Sequence, residues 1–211
     1  MKILFFDTET TGLHNPRLPH GHIEQPHLLQ LGFAVFDENG KNSHRAQLLR
    51  SDCPIPIPPQ ATAVHGLTED YCRAQGLLIH TILDIFNAYV EASDILVGYN
   101  TPYDLAVINH ECKRGEPFAT QIAFPPNQLD LMQICTPLCA LPGKFGHKYS
   151  WPKLSVACER ILGAPPSQSH DALADVHYTA KLFFKLLADK KIELPVLETA
   201  PAPVTSNENS H

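Results

Sequence analysis

The chain has 211 residues, a net charge of −6, 44% apolar residues and 18% charged ones. This length and balance fit one globular domain with a sizeable core. They argue against a duplex-coating protein, which depends on many Lys and Arg contacts to phosphates.

No stretch is long and apolar enough for a transmembrane helix, so no membrane partner is expected. Acids from position 7 onward argue against a signal peptide. The six cysteines are scattered without a CxxC pair, which fits free thiols in a reducing cytoplasm.

The first apolar run, "KILFF", reads as a buried strand and leads into "DTETTGL". Residues i and i+2 share one face of a strand. Asp7 and Glu9 therefore project side by side, with Thr8 turned the other way. Two like charges that close repel unless a cation neutralises both, and a hard divalent ion such as Mg²⁺ does so with oxygen ligands. A hydrated strand end at the "TTG" turn accounts for this stretch equally well. The following loop is Pro-rich and holds His14, His20, His22 and His27 without metal-ligand spacing, which reads as surface.

Leu28 to Phe36 is a second apolar run, "DENG" a turn and "RAQLLR" the return arm of a hairpin. "CPIPIPPQATAVHGLTEDYC" is extended through its prolines and then forms short helical pieces, with Thr68 as an N-cap. Apolar residues at 78, 79, 82, 83, 85, 86, 89 and 90 make a helical stripe. "DILVGYN" is a short buried strand. "TPYDLAVINHECKRG" reads as a helix with Thr101 as N-cap, Pro102 at its first position and Gly115 at its stop.

"NQLDLMQICTPLC" is a brief strand entering a helix, on one face of which Cys135 and Cys139 pack. "WPKLSVACERILG" and "HDALADVHYTAKLFFKLLADKK" are two further amphipathic helices. Beyond Leu194 the chain is polar, Pro-rich and aperiodic, as in a disordered tail. The expected organisation is a domain over 1–194 and a tail over 195–211. A meander followed by alternating strands and helices predicts an α/β domain with a mixed sheet.

Three more residues stand out. Asp104 falls in the first turn of the helix opened by Pro102, where the helix dipole alone accounts for an acid. Asp175 lies within the apolar pattern of the last long helix, with small neighbours Ala172, Ala174 and Ala180 that leave it room. His170 precedes that helix, and a histidine, ordinarily titrating near ~6.5, is the obvious proton acceptor near neutral pH. Ser169, His170 and Asp171 are adjacent and so cannot form a hydrolytic triad. Asp171 reads as a first-turn acid.

The order D-x-E, then D, then H-x-x-x-x-D resembles the DnaQ-like (DEDDh) superfamily of 3′–5′ exonucleases. "FDTETTGL", "VGYNTPYDLAVIN" and "SHDALADVHYTAKLF" resemble its three motifs, and "PPQATAVHGLTED" resembles its HG-[IL]-T segment. "KYSWPKLSVACERILGAPPSQSHDALADV" is similar, more loosely, to stand-alone TREX-type enzymes. The second motif of the family usually begins His-Asn, whereas here it is Tyr99-Asn100, with Tyr99 in a supporting role. The His-rich insertion at 14–27 has no evident counterpart.

The resemblance implies an RNase H-like fold, a mixed sheet (antiparallel meander plus parallel strands) flanked by helices, and two Mg²⁺ or Mn²⁺ ions. Asp7 would bridge both ions, Glu9 and Asp175 would complete one site, and Asp104 would hold the second. His170 would act as general base. Thr8, Leu13, Val64, His65 and Tyr103 would contact substrate, although ordinary core is a rival reading for Leu13, Val64 and Tyr103. Asn100 would brace the loop or touch substrate.

The implied partner is the 3′ end of a single-stranded nucleic acid, with DNA favoured over RNA and a DNA polymerase as a candidate protein partner. An exoribonuclease or oligoribonuclease, or a non-catalytic relative that binds nucleic-acid ends or a polymerase, is the alternative.

Overall fold

The computed structural model describes residues 1–115, 120–144, 146–167 and 170–195. The tail expected over 195–211 lies, apart from Pro195, outside the described residues. The strands are β1 (Lys2–Thr10), β2 (Leu28–Asp37), β3 (Asn42–Leu49), β4 (Ile95–Gly98) and β5 (Gln128–Asp130). They form one sheet in the order β3-β2-β1-β4-β5. The β3-β2-β1 half is antiparallel, and β4 and β5 add in parallel.

The helices are α1 (Pro59–His65), α2 (Glu69–Gln75), α3 (Ile79–Glu91), α4 (Thr101–Arg114), α5 (Leu131–Cys139), α6 (Leu154–Leu162) and α7 (Ala172–Ala188). Among the described residues, no helix is long and apolar enough to cross a membrane.

Strand alternation divides the core into two layers. Ile3 and Phe5 of β1 join Ile95 and Val97 in a cluster with Leu131, Cys135, Cys158, Val176 and Phe183 of α5, α6 and α7. Leu4 and Phe6 face the other way, toward Ile82 and Phe86 of α3 and Val107 and Ile108 of α4. β1 thus lies mid-sheet between two helical layers, so its C-terminal end can address both. Cys135 and Cys139 are fully buried, as expected for packing thiols, and none of the six cysteines is in a disulfide.

Helix ends follow the local chemistry with two corrections. Thr68 caps α2 by accepting from the Tyr71 amide. Thr101 does not cap α4. Asn100 takes that place in a left-handed conformation (φ 70°), while the Thr101 hydroxyl donates to the Leu129 carbonyl at 3.1 Å. Asp171 is not in the first turn of α7 but caps it, accepting from the Ala174 amide at 3.0 Å.

The His-rich insertion is corrected in part: His20 is exposed and His14 and His22 are half-buried, but the segment folds against α4. His27 is fully buried, 3.5 Å from Glu111. His14 and His20 each reach a ring nitrogen of the buried His110 on α4, both at 3.0 Å. Arg114, also on α4, donates to the carbonyls of His22, Gln25 and Pro26. Glu111 joins Arg50 and Arg114 at 2.9 and 2.8 Å, so its buried charge is paired, as burial demands.

Candidate active site

A cleft of about 590 Å³ opens at the C-terminal end of β1 and is lined by Asp7, Glu9, Asp104, His170 and Asp175. Asp7 continues the odd-numbered face of β1, toward α7. Thr8 faces α4, where its amide and hydroxyl donate to Asp104 Oδ1 at 3.0 and 2.6 Å. One strand end thus joins an acid of α4 to acids beside α7. Ligand atoms of Glu9, His170 and Asp175 lie within 4.8 Å of one another, so the imidazole stands beside two carboxylates that could share a cation.

What seats α7 so close is a glycine. Gly32 pairs with Asp7 across the sheet, and a β-carbon on it would lie 2.4 Å from the Ala172 carbonyl carbon and 2.6 Å from the Leu173 nitrogen. Beside it, the buried Gln30 accepts from the Ala172 amide at 2.9 Å. From β3, Gln47 donates to Asp171 at 2.6 Å. Gly32 and Gln30 escaped the sequence reading, yet "LLQLGFAVF" carries their signal: a lone glycine and a lone amide inside an apolar strand mark a close backbone approach.

The acids sit in unfavourable company. Burial, then the charges of Asp104, Asp175 and Glu9, pushes the Asp7 carboxyl well above the usual range. Burial, then Asp175 and Asp104, raises Glu9 to about 8. Asp104 is raised to about 7 by burial, opposed by its bonds from Thr8. Burial also raises Asp175, against the His170 amide, which donates to its Oδ2 at 3.2 Å. Asp175 Oδ1 is buried with no hydrogen-bond partner among the described residues. Crowded carboxylates with an orphaned oxygen are what an all-oxygen site for a divalent cation looks like before charge is supplied.

The residues expected to touch substrate line the same cleft. Leu13 is 87% exposed and Val64 53% exposed, so neither is core. Tyr103 works differently from a free stacking platform. Its hydroxyl donates to the Gly12 carbonyl at 2.6 Å and shares a hydrogen bond with Thr10, fixing the turn that carries Leu13. Burial raises that hydroxyl to about 12.

His65 uses Nδ1 to accept from the Leu67 amide, and burial lowers its pKa. The Asn100 amide donates to Asp130 at 2.8 Å, bracing the loop after β4. Tyr99 donates to the Pro152 carbonyl at 2.9 Å, the supporting role expected of it.

The exonuclease family model (RNase_T) matches residues 4–183. The chain belongs to the exonuclease family. Among its relatives, DNA polymerase III subunit epsilon of Rickettsia conorii is 25% identical over 192 residues, covering 90% of this chain and 76% of that protein. A DNA polymerase III subunit epsilon-like protein of Rhodobacter capsulatus is 30% identical over 190 residues, 89% of this chain but 24% of that one.

Of solved structures, E. coli exonuclease I with an oligonucleotide superposes with a TM-score of 0.68 at 20% identity, covering 89% of this chain and 41% of that one. A zinc-bound complex of the same enzyme with single-stranded DNA gives 0.68 at 21%, covering 90% and 41%. The chain therefore spans about two-fifths of those exonuclease I chains. The family match and the five-stranded mixed sheet between helices identify the fold as the RNase H-like one of the DnaQ-like exonuclease superfamily.

Proposed function

We propose that this protein is a metal-dependent 3′–5′ exonuclease that removes nucleoside 5′-monophosphates from the 3′ end of single-stranded nucleic acid, DNA in preference to RNA. The observation that carries the reading is the convergence of Asp7, Glu9, Asp104, Asp175 and His170 in one cleft. Asp7, Glu9, Asp104 and Asp175 would hold the two cations, Mg²⁺ or Mn²⁺, whose oxygen preference suits four carboxylates. When bound, such a pair stabilises the attacking and leaving oxygens of an in-line displacement.

The chain's own groups do the rest. His170, at the mouth of the acid cluster, takes the proton of the attacking water. Leu13 and Val64 present apolar surface to the terminal base. Tyr103 holds the Leu13 turn in place, and Thr8 keeps Asp104 oriented. The relatives named as polymerase III epsilon subunits support a polymerase as a candidate partner.

Incubation with Mg²⁺ or Mn²⁺ and 5′-labelled single-stranded DNA, duplex DNA and RNA tests the proposal. The expected result is a ladder shortened one nucleotide at a time from the 3′ end of single-stranded DNA, stopped by EDTA and restored by excess metal. Internal cuts, or full activity after exhaustive chelation, would overturn it.

A further inference from the structure

The chain contains one tryptophan, and the fold leaves it outside the core. Trp151 is 71% exposed, on the loop between α5 and α6. The base of this loop is a small hairpin. Pro142 and Tyr149 form an antiparallel bridge, and the Ser150 amide and hydroxyl donate to the carbonyls of Leu141 and Pro142 at 3.0 and 2.7 Å. The ring of Trp151 is thus presented to solvent right beside these hairpin bonds.

Its charge is equally out of character. The protein is net acidic, yet no Asp or Glu occurs between Asp130 and Glu159, the longest acid-free run in the sequence. Lys144, Lys148 and Lys153 fall inside that run. Lys144, His147, Tyr149 and Trp151 line a shallow cavity of about 220 Å³. The Lys148 ammonium stands 5.1 Å from the centre of the Tyr149 ring. The hairpin is also fastened to the cleft: Pro152, next to Trp151, accepts from Tyr99, and both Tyr99 and Leu154 line the acid-bearing cavity.

Aromatic faces interleaved with cations along a path to a phosphodiester-cleaving site suit single-stranded nucleic acid, whose bases stack and whose phosphates seek Lys. We propose that the described residues of this hairpin, 142–144 and 146–153, are a strand-holding subsite for nucleotides on the 5′ side of the terminal one. Trp151 stacks on a base, and Lys144 and Lys148 face phosphates. This rests on the exonuclease reading and adds to it a place where the length of the substrate is sensed.

The single tryptophan is its own probe. The full chain in EDTA, where nothing is hydrolysed, is titrated with oligothymidylate and oligouridylate of about ten nucleotides, and separately with thymidine 5′-monophosphate. The oligonucleotides should quench the tryptophan emission and the mononucleotide should not; the tighter of the two oligonucleotides identifies the preferred sugar. With metal present, Trp151→Ala should raise KM for the oligonucleotide by about 5- to 100-fold at unchanged kcat. Trp151→Phe should restore most of that loss. Neither variant should alter hydrolysis of thymidine 5′-monophosphate p-nitrophenyl ester, which fills the terminal site alone. Lys144→Ala with Lys148→Ala should flatten the salt dependence of binding by roughly one log unit per log unit.

Unchanged emission together with wild-type KM in Trp151→Ala would overturn the subsite and leave the exonuclease reading standing. Failure of the wild type to hydrolyse either substrate would overturn the exonuclease reading alone, because the emission titration needs no turnover.

Discussion

His170 holds a left-handed backbone conformation, φ 61°, which costs a non-glycine residue roughly 1–3 kcal/mol and persists where the surroundings enforce it. Here the enforcing contact is its own amide on Asp175, so the residue proposed as base is positioned by a proposed metal ligand. The two should fail differently. His170→Ala should lower kcat by about 10²–10⁴-fold, with metal affinity kept and the acid limb of the pH–rate profile gone. Asp175→Ala should abolish turnover and weaken Mg²⁺ binding. A His170→Ala enzyme whose acid limb is unaltered would refute the base assignment.

Among the elements, the seating of α7 matters most, because it delivers both His170 and Asp175. Gly32→Ala would drive a methyl group into the backbone at Ala172 and Leu173. Overpacking of this kind ordinarily costs about 1–3 kcal/mol. The expected outcome is a lower melting temperature and a fall in kcat out of proportion to it, as the acids part. Wild-type values for both would show that α7 can seat elsewhere without harm.

The elements themselves were legible from period and capping: β1, the hairpin, α3, α4, α6 and α7 all lie where their apolar patterns put them. That the acids and His170 would meet in one cleft was legible too, through motif order. What stayed hidden depended on partners far along the chain. Nothing near Thr101 reveals that the Leu129 carbonyl draws its hydroxyl away from a cap. Nothing near His14 or His20 reveals His110, 96 and 90 residues on, and so the insertion read as surface. The role of Tyr103 as a brace for the Leu13 turn, 91 residues from Gly12, was hidden for the same reason.

For the molecule as a whole, the acid cluster sets a dependence of stability on pH. Glu9 is raised from its ordinary 4.5 to about 8, so between those values the folded chain binds more protons than the unfolded one. Stability from this group is then lost as pH rises through the window. His110, lowered from 6.5 to about 4 by burial and by the charges of His20, His14 and Arg114, acts in the opposite sense below 6.5. The clean interval is therefore pH 6.5 to 8. Metal-free protein should melt at progressively lower temperature across it, and Mg²⁺ should raise the melting temperature most at the upper end. Glu9→Gln should flatten the slope; an unchanged slope in that variant would mean that Glu9 is not its source.

The central place of β1 also has a consequence in time. Its antiparallel neighbour β2 follows within one insertion, but the contacts that complete the cleft join Thr8 to Asp104 and Gln30 to Ala172, 96 and 142 residues apart. Such distant closures come late on a chain that emerges from its N-terminus. Until α7 arrives, Asp7 and Glu9 have no Asp175 beside them. The helix that brings Asp175 also brings Val176 and Phe183 into the core layer beneath β1, so the burial that closes this layer offsets the repulsion of the carboxylates in the same step.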